Sequence, residues 1–205
     1  DDASKNPWGE FKKGALDLLI ACLVAGTYLA FNGSEIFINI LGESIVLNPI
    51  VFFILAVILV WVSINVTNCT DGVDGLSGTL SVITLFTIYL LESVKGTNSA
   101  INYITLILIV CVLAYLWFNA TPSKLMMGDA GSRALGIFIS IAILKTGSPL
   151  LYIPVALMLI IDGGLGLIKI SFRRFLKIEI LNNIRTPIHD QVRKRNDWSN
   201  TQVVF

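Results

Sequence analysis

Charge is scarce in this sequence. Only 14% of its 205 residues are Asp, Glu, Lys or Arg, and histidine occurs once, at His189. An ordinary soluble domain carries nearer a quarter charged residues, so a soluble globular fold is excluded. The 15 basic and 14 acidic residues leave a net charge of +1, which supplies no overall field to attract nucleic acid. Cysteine is also sparse. Cys22, Cys69 and Cys111 are far apart and belong to no CxxC or Cys/His cluster, so neither a disulfide framework nor a zinc site is indicated. The opening Asp1-Asp2-Ala3-Ser4-Lys5 lacks the basic n-region of a cleavable signal. A start without Met, and a close on the apolar Val203-Val204-Phe205, lead to the expectation of a chain truncated at both ends.

What is abundant is apolar surface: 55% of residues are hydrophobic and the mean hydropathy is +0.77. A hydrocarbon core takes roughly 17–25 helical residues to cross. Segments 15–31, 49–64, 79–94, 103–118, 134–146 and 150–170 meet or approach that length. The fold expected is therefore an all-α integral membrane bundle of about six transmembrane helices. The fifth segment is short and must tilt little. Between the first two, Ile36, Ile38 and Ile40 precede a Gly42-Glu43 turn and Ile45 and Leu47 follow it. That loose alternation predicts a short β-hairpin near 35–47.

Cations are retained on the cytoplasmic side during insertion. Of the 15 Lys and Arg, only Lys95 and Lys145 fall in loops of the opposite set. Segments 1–14, 65–78, 119–133 and 171–205 are accordingly read as cytoplasmic, in a multi-pass membrane protein.

Two acid-glycine clusters sit on that side. Asn65 through Leu76 offers Asn65, Asn68 and Asp71 at three-residue spacing, followed by Gly72, Asp74 and Gly75. Residues i and i+3 share a helix face, so the three polar side chains are expected to enter one cleft, with the glycines letting backbone approach a ligand. Asn119 leads into the second cluster, Met127-Gly128-Asp129-Ala130-Gly131-Ser132, which places a carboxylate between glycines at a helix start. That combination suits a divalent metal bound to phosphate, because Mg²⁺ takes oxygen ligands and leaves several to substrate and water. Helix capping alone would account for one isolated Asp-Gly pair, not for two such clusters on one face. Asp162, before Gly163-Gly164 in the last span, reads as a helix break facing the bundle or as a buried acid paired with a basic residue, with function and structure equally open. Asp17 reads as structural. The basic surroundings of His189 suit an anionic lipid or a phosphorylated substrate, although positive-inside residues explain most of them.

At these residues the sequence resembles the polyprenyl-phosphate N-acetylhexosamine-1-phosphate transferases, most closely their phospho-N-acetylmuramoyl-pentapeptide branch. The likeness is carried by Asp1-Asp2 with Lys5, by Asn65 through Leu76, by Asn119 with Met127-Gly128-Asp129, and by Pro187-Ile188-His189 with Trp198. It implies a ten-span fold, and transfer of phospho-MurNAc-pentapeptide from UDP-MurNAc-pentapeptide to undecaprenyl phosphate, giving lipid I and UMP with Mg²⁺. It further implies that Asp129 binds the metal and that Asp1 and Asp2 form an acidic pair, with Asp1 a base for the lipid phosphate. Asn68, Asp71 and Asn119 take the place of catalytic-cleft residues. By the same resemblance Gly72, Val73, Asp74 and Met126 would contact uridine, His189 would face the phosphate-bearing substrate, and the protein would pair as a homodimer. Departures are His189-Asp190-Gln191 where three histidines are usual, Met126 where an aromatic is usual, and a second lysine matched by either Lys12 or Lys13. A related enzyme using another UDP-N-acetylhexosamine and a membrane transporter remain the competing readings, and direct and covalent transfer both stay open.

Overall fold

The computed structural model describes residues 8–38, 41–96, 100–181 and 184–204. Helix α1 (Glu10–Asn32) is followed by strands β1 (Glu35–Ile38) and β2 (Glu43–Val46), then by helices α2 (Pro49–Thr70), α3 (Leu76–Val94), α4 (Ala100–Asn119) and α5 (Gly128–Lys145). The strands pair antiparallel with Ile36 opposite Ile45, so the expected hairpin is present; Ile40 lies outside the described residues.

The helices begin and end where local chemistry demands. Asn48 caps α2 by accepting the Ile50 N–H at 2.9 Å, and a proline opens its first turn, where no intrahelical N–H is lost. At its other end α2 runs through the apolar stretch to Thr70 before Asp71 turns the chain. Gly75, in the left-handed region at φ 83°, reverses direction into α3, a conformation that costs glycine no Cβ clash.

After α5 the chain does not form one straight span. Short helices α6 (Tyr152–Val155) and α7 (Leu157–Leu159) lead through a π-helical turn at Ile160–Gly164 into α8 (Leu165–Ser171). The two halves, Pro149–Val155 and Leu157–Ser171, are bent by 68°. Pro154 lies just before the bend, where its ring displaces one intrahelical hydrogen bond. Helices α9 (Ile188–Arg195) and α10 (Asn200–Val204) follow.

This corrects the span count. Among the described residues four helices are long and apolar enough to cross a membrane, or five with the bent pair taken as one span, rather than six. Helix α5 starts at Gly128 rather than near residue 134, and its 18 residues include Asp129, Arg133 and Lys145.

Helix α2 is the hub. Both α1 and α5 pack along it, and the contacts are close because small residues face it, the usual device where lipid supplies no hydrophobic drive between helices. A Cβ at Gly136 of α5 would stand 2.6 Å from the Ser63 carbonyl oxygen, and one at Gly163 would stand 2.3 Å from the Val66 carbonyl oxygen. Ser63 Oγ donates to the Gly136 carbonyl at 2.7 Å and locks that approach. One apolar cluster joins Val66, Leu85, Ile109, Ile139, Ile143 and Leu159, and another joins Ala21, Ala25, Phe52, Val60, Ile64 and Leu144. The alternating helix directions gather the start of α1, the turn 71–75, the loop 120–127, the start of α5 and helix α9 at the end of the bundle opposite the hairpin.

Candidate active site

At that end lies a cavity of about 480 Å³, lined by Asn68, Asp71, Gly72, Val73, Asp74, Asn119, Met126, Met127, Gly128 and Asp129. This is within the range of small-molecule sites, about 300–1,000 Å³. Segments far apart in sequence thus supply one wall each: the end of α2, the turn after it, the end of α4 and the start of α5.

Asp129 is a heavily partnered carboxylate of this cavity. Lys13 Nζ, from the first turns of α1, donates to its Oδ2, and Asn68 Nδ2 donates to its Oδ1 at 3.0 Å. The Arg133 Nη2 lies 4.0 Å from Oδ2. The Asn68 amide is fixed by three contacts: its Nδ2 also donates to Ser132 Oγ at 3.0 Å, and its Oδ1 accepts from Arg133 Nη2 at 3.2 Å. Burial works to raise the Asp129 pKa, but the hydrogen bonds from Lys13 and Asn68 and the charges of Arg133 and Lys13 outweigh it and hold it below its ordinary value. Asp129 therefore stays ionised through the neutral range. The stability this contributes is fully present above the ordinary carboxylate pKa and is lost only as pH falls through the lowered one.

Asn119 lines the cavity but spends its amide on the scaffold. Its Oδ1 accepts the Gly75 N–H at 2.8 Å and its Nδ2 donates to the Leu125 carbonyl at 2.8 Å. It ties the turn 71–75 to the loop carrying Met126, which stands 83% exposed at the rim.

One expectation needs correction. Asn65 is not among the residues lining the cavity; it donates to the Trp61 carbonyl at 2.9 Å. Three-residue spacing drifts by about 60° per step around a helix, which carries Asn65 off the face. Gly72 does admit a close approach, but by a side chain of this protein: a Cβ there would stand 2.3 Å from His189 Nε2. His189, expected to face substrate, is only 4% exposed. Its backbone N–H donates to Asp162 Oδ1 and its Nδ1 meets Asp162 Oδ2, each at 2.8 Å, so the ring stands behind the cavity wall that Gly72 forms. Asp1, Asp2 and Lys5 lie outside the described residues.

Two further residues stand beside the site. Asp17, read from the sequence as structural, is buried and paired with Arg133 Nη1, one residue from the site. Of the two candidate lysines, Lys13 is the one whose Nζ reaches Asp129. Both were legible as i,i+4 charge pairs, Lys13 with Asp17 and Asp129 with Arg133, in opposite order of sign.

A family model described as glycosyl transferase family 4 matches residues 1–147, which include every residue lining the cavity. The chain belongs to glycosyl transferase family 4. Among curated relatives of this family-4 chain, the phospho-N-acetylmuramoyl-pentapeptide-transferase of Treponema pallidum (strain Nichols) is 37% identical over 223 residues, covering 100% of this chain and 61% of the relative. The enzymes of the same name from Borreliella burgdorferi (strain ZS7) and Bartonella quintana (strain Toulouse) are 35% and 30% identical over 91 and 93 residues. Those alignments cover 44% and 45% of this chain and 25% of each relative. The chain thus spans about three fifths of the length of the Treponema pallidum relative. That match, unlike the family model, also covers Asp162 and His189.

Proposed function

We propose that the protein transfers phospho-MurNAc-pentapeptide from UDP-MurNAc-pentapeptide to undecaprenyl phosphate, forming lipid I and releasing UMP at the cytoplasmic face of the bacterial cell membrane. The observation that carries this is Asp129, held among Lys13, Asn68 and Arg133 in a cavity of nucleotide size, in a chain similar end to end to a transferase of that name. In the net reaction an oxygen of the lipid phosphate bonds to the sugar-bearing phosphorus. The bond from that phosphorus to UMP breaks, and its electron pair leaves with UMP.

The donor set fits a divalent cation such as Mg²⁺. Asp129, Asp71 and Asp74 all line the cavity with hard oxygen atoms. Among the described residues no three His, Cys, Asp or Glu stand close enough to hold an ion by themselves. Mg²⁺ takes one or two carboxylates and fills its other positions from phosphates and water. Asp129 is the assigned ligand. Such an ion neutralises charge on the diphosphate as two anions are brought together. Lys13, released from Asp129, is placed to hold a phosphate oxygen. Gly72, Val73 and Asp74 form the wall for the uridine, with Met126 as its apolar edge. Asp1 and Asp2 complete the carboxylates of this reading.

The donor is tested by offering the whole protein, in detergent with undecaprenyl phosphate and Mg²⁺, either UDP-MurNAc-pentapeptide or UDP-GlcNAc and measuring UMP. Release with the muramyl donor alone is expected. Release only with UDP-GlcNAc overturns the assignment and moves the protein to a sister activity.

A further inference from the structure

Helices α1 and α5 both pack along α2, and they also meet each other through long side chains. Three of those contacts share one separation in sequence, 116 residues: Lys13 with Asp129, Asp17 with Arg133, and the Tyr28 hydroxyl with the Leu144 carbonyl. The two helices therefore run parallel in a single register, and within it the order of charge is reversed, basic then acidic on α1 and acidic then basic on α5.

The two cations beside Asp129 are held very differently. Lys13 is a flexible ammonium with its side chain 26% exposed, free to exchange one oxygen partner for another. Arg133 is a planar fork that seeks carboxylates. It lies four residues from Asp129 on the same helix, the spacing of a helical ion pair. Yet its Nη1 is bound to Asp17, whose side chain is only 3% exposed, and its Nη2 faces the Asn68 carbonyl oxygen at 3.2 Å while standing 4.0 Å from Asp129. A carboxylate buried as Asp17 is requires its counter-charge, which makes this pairing obligatory.

We infer that Asp17 is a positioning residue for metal binding: its carboxylate holds the Arg133 guanidinium off Asp129, so that the guanidinium does not compete with a divalent cation there. This rests on the assignment of Asp129 as metal ligand. Without Asp17 the guanidinium would close on Asp129 and neutralise it permanently. A mere staple between α1 and α5 would predict something else, a lower Tm with unchanged metal affinity.

The test titrates Mn²⁺ alone into the whole protein in detergent and reads free Mn²⁺ by electron paramagnetic resonance, for wild type, Asp17→Asn and Asp17→Asn/Arg133→Gln. The single variant is expected to weaken Mn²⁺ binding by about 10–100-fold, the usual effect of disturbing a partner of a metal ligand. The double variant, lacking the freed guanidinium, is expected to bind close to wild type. Asp17→Ser repeats the comparison if the amide variant does not fold. Wild-type affinity in the single variant, or a double variant as weak as the single, overturns the inference alone. A wild-type protein that takes up no Mn²⁺ overturns the metal assignment and this inference with it.

Discussion

Turnover is expected to fall by at least about a thousandfold in Asp129→Asn, the consequence of losing several kcal/mol of charge stabilisation in the transition state, with the fold intact. The amide keeps the shape of the side chain and can still accept from Asn68, whose other bonds to Ser132 and Arg133 remain. What disappears is the negative charge that Lys13 and a divalent cation share. Stability changes little, because the Lys13–Asp129 pair is about one quarter exposed on each side and pairs of that kind contribute only about 0–1 kcal/mol. The measurement is UMP release set beside the thermal transition in detergent. An unchanged rate would remove Asp129 from the metal site.

Gly72→Ala is expected to lose both activity and stability. The added Cβ would lie 2.3 Å from His189 Nε2 and 2.9 Å from its Cε1, closer than any packed side chain tolerates. The ring cannot retreat, because the His189 backbone and Nδ1 are both bound to Asp162 at 2.8 Å. Either those bonds break or the turn 71–75 shifts, and with it Val73, Asp74 and the Asn119 contact to Gly75. Overpacking of this kind costs about 1–3 kcal/mol, and a hydrogen bond to a charged group about 1.5–3 kcal/mol. In Gly72→Ala/His189→Ala the collision is gone, so the thermal transition should return to that of His189→Ala alone while activity does not. A Gly72→Ala protein as stable and active as wild type would show that the imidazole does not brace this wall.

The bundle was legible where an apolar run fills most of a helix, as in α4, whereas α2 continues to Thr70, six residues past the expected end of its span, because Asn65 and Asn68 lie on its last polar turns. Helix α5 was placed too late because its first turn carries Asp129, Ser132 and Arg133, a polar composition that reads as loop. An acid in the first turn favours a helix start, and Asn68 and Asp17 supply partners that no local window contains. A break at Asp162-Gly163-Gly164 was legible, but the bend after Val155 escaped because Pro154 lies within an apolar pattern, and what fixes Gly163 is the α2 backbone nearly a hundred residues earlier. The acid-glycine clusters pointed to the cavity because chemistry at a membrane edge leaves few other uses for such residues. His189 was visible as a lone histidine, but its turn inward to Asp162 is a tertiary event across 27 positions, invisible to any motif.

The central claim is that this cavity performs phosphoglycosyl transfer to a lipid. The most direct test is UMP release by the whole protein in detergent from UDP-MurNAc-pentapeptide, with undecaprenyl phosphate and Mg²⁺ present or each omitted in turn. The account predicts UMP only when all three are supplied. UMP formed without the lipid acceptor, or solute flux in vesicles with no UMP formed, would contradict it.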